Sequence, residues 1–322
     1  MARYLARRVL TLIPLLLGIS LVTFLLATAT PGSPVSRLEF NPSARPADVA
    51  RIKAQLGLDK PPVERYLDWL SHVARGDFGL SLITYRPVST TILEKLPATL
   101  LLTGSALCLS LFFSIPIGIY TAARRNSWID RVATIVTTGG IAVPTFWLGM
   151  MMIMLFSVKF RQWGLPALPS GGMYSLHGGG GFGDRLLHLA MPAVALAFVQ
   201  TAVWMSYVRT QMIEVLQADY IRVAGAKGLS HWTVIGRHAL RNAMLPLITL
   251  LALDIPALFG GAVVIETIFA WNGIGRLIVN ATMQRDYTVV MGEVLIIAMI
   301  TVLANLLADI LYQLADPRLR HG

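Results

Sequence analysis

The sequence predicts an all-α, polytopic membrane protein with six transmembrane helices, and three observations carry that expectation. The 322 residues are 55% hydrophobic and 14% charged, with a mean hydropathy of +0.63. An ordinary soluble domain has about 25% charged and 45–50% apolar residues. The balance excludes a disordered chain, which needs the opposite composition, and argues against the two soluble domains this length would allow. The apolar residues are gathered into six runs, Val9–Ala29, Ala98–Ala122, Val132–Val158, Leu186–Val208, Ala243–Phe269 and Thr288–Leu314, each 21 to 27 residues long. About 20 residues at about 1.5 Å rise cross the hydrocarbon core, and backbone groups must pair internally there, which selects helices. The alternating ten-residue segments of a β-barrel are absent.

The first run follows Arg3, Arg7 and Arg8 and ends in Ala27-Thr28-Ala29, a pattern shared with cleaved signal peptides. Its apolar stretch exceeds the usual 7–15 residues of such peptides, so it reads as a retained first span. The loop 30–97 begins with Pro31-Gly32-Ser33-Pro34, a stop signal. Val49, Ile52 and Leu56 share one helical face; Val63, Tyr66, Leu67 and Leu70 share another after Pro61-Pro62. The segment reads as a small ordered cap outside the membrane.

The net charge of +10 raises nucleic acid as a partner, but in so apolar a chain it is explained by topology. Thirteen Lys and Arg fall on the short segments that are inside if the N-terminus is inside, and five on the short outer loops. The other nine lie in the long loop 30–97, and long loops translocate largely regardless of charge. The asymmetry places both termini in the cytoplasm of a multi-pass plasma or inner membrane protein, with no nucleic-acid partner.

No enzymatic site is legible. Gly178-Gly179-Gly180-Gly181-Phe182-Gly183 satisfies G-x-G-x-x-G only formally, since no strand precedes it, and reads as a flexible turn. A P-loop, H-E-x-x-H and G-x-S-x-G do not occur, and the six histidines are scattered. No catalytic residue, cofactor or metal ligand is therefore assigned to this chain. Cys108, the single cysteine, cannot form an internal disulfide and reads as a small packing residue.

The polar residues inside the runs carry more. Asp254, Glu266, Glu293 and Asp309 lie within or at the ends of spans, where a charge is expensive and usually faces a bundle interior or wet cavity. They line a polar path or pair across an interface; the plainer alternative for Glu266 and Glu293 is snorkelling or helix capping. Asn305 and Asp309 are at i, i+4 and can face one partner helix. Pro116, Pro144, Pro192 and Pro256 interrupt helical hydrogen bonding and allow kinks around a passage. Asp254, Pro144, Asn305 and Asp309 are the candidate path residues.

The longest inner segment, 209–242, has internal order. Asp219 is an N-cap candidate for a short helix rich in small residues, and Gly228 a C-cap candidate. Ser230 can cap a second helix carrying Trp232, Ile235 and Leu240. The composition leaves two readings open, a docking element for another protein or an amphipathic surface helix whose Arg222 and Lys227 reach lipid headgroups.

The residues of this loop, with others along the chain, resemble those of the permease subunits of ABC importers for dipeptides, oligopeptides and nickel. The likeness is to the first permease of the pair, which has a large outer loop after span one. It is carried by Leu56-Gly57-Leu58-Asp59, Arg75-Gly76-Asp77-Phe78-Gly79, Leu96-Pro97-Ala98-Thr99, Ala218–Ser230 and Arg237–Asn242. It continues in Gly260–Thr267, Gly273-Ile274-Gly275-Arg276 and Asp316-Pro317-Arg318. Against the family's E-A-A-x-x-x-G signature, aligned on Gly228, only Ala224 and Gly228 match, a weaker form usual in the peptide branch; a Leu-Pro occurs at Leu245-Pro246.

The resemblance implies one transmembrane permease domain, 1–322, with the cap at 30–97 and a coupling loop at 209–242. It implies that Asp219, Tyr220, Arg222, Ala224, Gly225, Ala226, Lys227, Gly228, Leu229 and Ser230 form the coupling helix seated on an ATPase subunit. Partners would be a second permease, two ABC ATPases that hold ATP and Mg, an extracytoplasmic substrate-binding protein and membrane lipid. The expected cargo is a di- or oligopeptide, with nickel or an oligosaccharide as alternatives. A secondary transporter would show inverted repeats, and no convincing internal repeat is seen.

Overall fold

The computed structural model describes residues 2–29, 45–47, 50, 53, 59–175 and 180–315. Side chains are described from Thr11 onward, except at 245, 246, 248, 249, 252, 253, 255–257, 261 and 307–315. The described residues are helical, apart from turns and one bridge between Leu80 and Pro87. The chain divides into two units, residues 1–97 with 277–303 and residues 98–276 with 304–322.

In the first unit, helix α1 spans Ala2–Ala29 and α2 spans Pro62–Val73. Helix α2 starts where the sequence places it: Pro61 is the cap, Pro62 the first turn, and proline is preorganised for that position. The expected shared face divides, however. Tyr66 turns onto α1, where its hydroxyl meets Ser20 Oγ at 2.8 Å and its ring lies 5.3 Å from that of Phe24. Val63 and Leu67 stay exposed. The earlier expected helix around Val49, Ile52 and Leu56 falls outside the described residues.

The hairpin after the Arg75–Gly79 stretch is organised by Asp286. Its carboxylate accepts from Ser81 Oγ at 2.5 Å and from the Leu82 N–H at 3.1 Å, while Ser81 Oγ in turn accepts from the Ile83 and Thr84 N–H groups. Asp286 directly precedes the helix Tyr287–Ala315, so one buried carboxylate serves both the hairpin and that helix start.

Helix α3 spans Val88–Ala123, α4 Trp128–Ala142, and α5 Thr145–Gln162, whose segment Ile153–Lys159 is π-helical. Helix α6 spans Phe182–Leu216, α7 Asp219–Ala226, α8 Leu240–Ile268, α9 Ile274–Gln284 and α10 Tyr287–Ala315. Among the described residues four helices are long and apolar enough to cross a membrane, those over Thr11–Ala29, Val88–Ala123, Phe182–Leu216 and Tyr287–Leu306. A fifth is counted if α4 and α5 together make one. The remaining predicted run, Ala243–Phe269, lies on α8, of which Leu258–Ile268 is a short apolar stretch.

The third predicted run is not one straight span. Helices α4 and α5 meet at a 98° bend. Val143 is extended, with φ −79° and ψ 120°, and Pro144 opens α5 at φ −63° and ψ 130°. Proline drives the residue before it out of the helical region, and a β-branched valine accepts extended backbone readily. Pro192, by contrast, sits inside the unbroken α6.

Helix α6 is the axis of the second unit. At about 1.5 Å per residue, its 35 residues reach roughly 50 Å, well beyond a hydrocarbon core of about 30 Å. One core forms toward its start, where Leu189, Met191 and Leu196 join Ala98, Leu102, Ile265, Phe269 and Trp271. A second forms toward its end, where Trp204, Val208 and Met212 join Ile221, Ala224, Val234, Ile235 and Leu247. Cys108, expected to pack inward, is instead exposed on α3.

Candidate functional site

Helix α7 is built much as the sequence implies, with one shift at its start. Asp219 does not cap it: Ala218 occupies the cap position at φ −68° and ψ 145°, and Asp219 is the first helical residue. There its charge favours the positive helix end. The helix stops at Lys227, and Gly228 follows at φ +81°. That left-handed conformation is easy for glycine and strained for most side chains. Ser230 then caps the next turn, accepting from the Thr233 N–H at 3.3 Å. The chain runs through His231–Thr233 and a π-helical segment, Val234–Ala239, into α8. Trp232 is exposed and Ile235 buried.

The helix has two unlike sides. Ile221 and Ala224 are buried against the core at the end of α6. Tyr220, Val223 and Leu229 are exposed, and a Cβ added to Gly225 or Gly228 would meet nothing within 4 Å. Tyr220 Oη accepts from Asn242 Nδ2 at 2.9 Å, which ties the helix to the start of α8. Arg222 and Asp219 approach only to 3.8 Å, and both side chains are largely in solvent. Behind α7 lies a cleft of about 520 Å³, lined by Ile213, Gln217, Ile221, Gly225, His231 and Arg125 among others.

The root of this loop is held by a pair that the sequence does not announce: Arg209 counts there only as one of the topology cations, and Asp130 is not singled out. Arg209, near the end of α6, forks onto Asp130 in the first turn of α4, with Nε to Oδ1 at 2.6 Å and Nη2 to Oδ2 at 2.9 Å. Asp130 is 3% exposed. Its Oδ2 also accepts from the Asn126 N–H at 2.9 Å, and its own N–H donates to Ser127 Oγ at 3.2 Å. The local signal was present in Ser127-x-x-Asp130, a form of capping box.

At the other core of the unit, three of the stretches that carry the resemblance converge on Glu266. Its Oε1 accepts from Thr99 Oγ1 at 2.5 Å and its Oε2 from the Arg276 N–H at 3.0 Å. Thr99 Oγ1 accepts from the Ile274 N–H at 2.9 Å, and Trp271 Nε1 donates to Ala98 O at 2.9 Å. Glu266 is 0% exposed. A Cβ on Gly273 would overlap the Glu266 carboxylate and Thr99 Oγ1, and one on Gly275 would lie 2.6 Å from Val263 Cα. Snorkelling is therefore not its role, and it pairs with donors across helices. Glu293 is fully buried as well.

Among the described residues no hydrogen bond or ion pair joins the candidate path residues to one another. Asp254 is half-buried and accepts from Gln200 Nε2 on α6 at 2.7 Å. Pro144 opens α5 at the bend. Asn305 has a buried Oδ1 with no hydrogen-bond partner among the described residues. The Asp309 side chain lies outside the described ones. Of the glycine-rich run, the described part begins at Gly180, whose N–H donates to Asp184 Oδ2 at 3.2 Å; Asp184 also accepts from the Ser175 N–H at 2.8 Å.

An all-α chain of long apolar helices, with a short capped helix presented on a loop between two of them, has the build of a membrane transport subunit. The chain belongs to the family described as binding-protein-dependent transport system inner membrane component, which it matches over residues 114–321. Residues 1–103 match that family's N-terminal membrane component. It is thus a multi-pass permease subunit of a transport system. The chain is similar over its whole length to the oligopeptide transport system permease protein AppB of Bacillus subtilis (strain 168), at 42% identity with 100% of both chains covered. It is 38% identical to the dipeptide transport system permease protein DppB of Escherichia coli (strain K12), over 100% of this chain and 99% of the relative. It is 37% identical to the glutathione transport system permease protein GsiC of Salmonella choleraesuis (strain SC-B67), with 100% of both covered.

Proposed function

We propose that this permease forms half of the translocation path of an ATP-driven importer of peptides, most simply di- or oligopeptides, working by alternating access. The observation that carries the reading is α7, a short helix on an apolar seat with Tyr220 and Val223 exposed on its outer side and open space beside Gly225 and Gly228. It stands in a chain whose full-length relatives are named for peptide transport. A small, glycine-bare surface admits close approach by another protein.

In this reading six spans leave both termini and α7 in the cytoplasm. Asp219–Ser230 seats in an ATPase subunit, a second permease completes the path, and ATP and Mg are held by two ATPase partners. ATP binding closes the ATPases and draws the coupling helices together, and the permeases open outward to receive cargo from a binding protein docked over 30–97. Hydrolysis resets the cycle. Coupling of this kind requires nucleotide and cargo to favour different states. Asp254, Pro144, Asn305 and Asp309 are the path residues proposed, Asp254 as a polar lining group and Pro144 as the joint between α4 and α5.

The test is to purify the tagged chain in mild detergent, identify what accompanies it, and reconstitute the assembly with its binding protein and labelled peptides. Two ATPase chains, a second permease and ATP-dependent peptide uptake are expected. An assembly without ATPase chains, or peptide uptake by this chain alone, would overturn the reading. Capture of nickel or a sugar by the binding protein would overturn the cargo assignment only.

A further inference from the structure

We infer that Arg209 and Asp130 form a clamp that makes the bent pair α4–α5 follow the coupling helix. The inference rests on the importer reading and adds positioning residues to it. Motion imposed on α7 reaches the membrane on two sides, through the short link 217–218 into the end of α6 and through 227–239 into α8; the first of these carries the pair. Arg209 sits on that last stretch of α6, two turns before its end, and grips the first turn of α4 with both arms of its fork. A bidentate pair fixes orientation as well as distance, unlike a lone lysine contact.

The acceptor is itself immobilised. Asp130 is 3% exposed. Its second oxygen is shared with the Asn126 N–H, and its helix is capped by Ser127. The turn that supplies these contacts is tight, with Asn126 at φ +65°. The same level of α6 is packed closely elsewhere: a Cβ on Gly118 of α3 would lie 2.7 Å from Val208 Cγ1, so α6 has little freedom to slide past its neighbours there. Helix α4 has a free-standing reason to need a grip, because the 98° bend at Val143-Pro144 leaves no continuous helix to carry motion from α4 to α5 as a rod. What moves α4 at its base sets the angle of the bend. A buried pair of this kind adds little net stability over apolar packing, whereas removing one partner leaves the other uncompensated. Coupling between sites, and not stability, is the property such a pair serves.

The experiment uses the complete reconstituted importer with Asp130→Asn, Arg209→Gln and the exchange Asp130→Arg with Arg209→Asp. ATP hydrolysis with and without peptide-loaded binding protein is measured alongside peptide uptake. In the single variants hydrolysis without binding protein continues, while its stimulation and uptake fall about tenfold, the usual scale of coupling between sites. The exchange restores at least half of both. Wild-type stimulation in the single variants would overturn the inference, as would an assembled exchange variant with no recovery. If the single variants fail to assemble, the exchange variant alone decides, by transporting or not. Failure of the importer reading is distinct, since the wild-type assembly would then show no stimulated hydrolysis at all.

Discussion

The two cores along α6 are finished to different degrees. Around Glu266 every polar group described has its partner inside the unit, and glycine is required where backbone and carboxylate meet at Gly273. Around α7 Ile221 and Ala224 are sealed against the core, while Tyr220 and Val223 are exposed and the space beside Gly225 and Gly228 is open. Close packing and interhelical hydrogen bonds are what hold helices together in lipid, where burial of apolar surface gives no drive. The first core is complete in that sense. The second is complete only on the side that faces its own chain, which leaves room for the docking proposed for α7.

Substitutions at the two cores should therefore fail in different measurements. The largest effect on stability is expected for Gly273→Val, which forces a side chain into the Glu266 carboxylate and Thr99. Ordinary overpacking costs about 1–3 kcal/mol. Here the overlap is with a carboxylate and a hydroxyl fixed by their own hydrogen bonds, so it breaks the same bonds that Glu266→Ala removes and adds the overlap to them. The thermal midpoint of the protein in detergent should drop clearly; an unchanged midpoint would mean the knot is not packed as described. Glu266→Ala comes next. It strips the acceptor from the Thr99 hydroxyl and the Arg276 N–H, at about 1–3 kcal/mol for each buried group left unsatisfied. Glu266→Gln should recover part of that loss in the same melt.

Gly228→Asp should separate the cores most sharply. The left-handed backbone there tolerates Asp better than most residues, at roughly 1–2 kcal/mol, so the protein should still fold. Yet the added carboxylate stands on the surface proposed to meet an ATPase, and under that proposal stimulated ATP hydrolysis by the assembled importer should be lost. Unchanged stimulation would show that α7 is not approached from that side. The smallest effect is expected for Tyr220→Phe, which removes one partly exposed hydrogen bond to Asn242 and should shift the melt by about 0.5 kcal/mol, the low end for such a bond.

Much of this was legible in the sequence because the signals are local. The apolar runs lie on helices, though the third is bent and four or five of the six expected spans are found among the described residues. The stop at Gly228 and the cap at Ser230 fall where expected to within the residue or so by which helix ends are ambiguous, as Ala218 in place of Asp219 illustrates. The bend was half legible: four prolines were flagged, but Pro144 breaks its helix and Pro192 does not, since the outcome depends on the packing that surrounds each. The pairings were not legible. Thr99 and Glu266 are 167 positions apart, and Arg209 and Asp130 are 79 apart; nothing in a local pattern says which polar groups will meet. Glu266 was visible as a costly residue, though not as the centre of a knot, and Arg209 was hidden among the cations that set topology.

The central claim is that this chain moves only when its inner face is moved by partner ATPases. It is tested most directly by peptide uptake into vesicles carrying the purified chain alone, set beside vesicles carrying the full assembly with ATP on the side of α7. The account predicts no uptake by the chain alone, and uptake by the assembly that stops when ATP is withheld. Sustained accumulation by the chain alone, or uptake by the assembly that is indifferent to ATP, would contradict it.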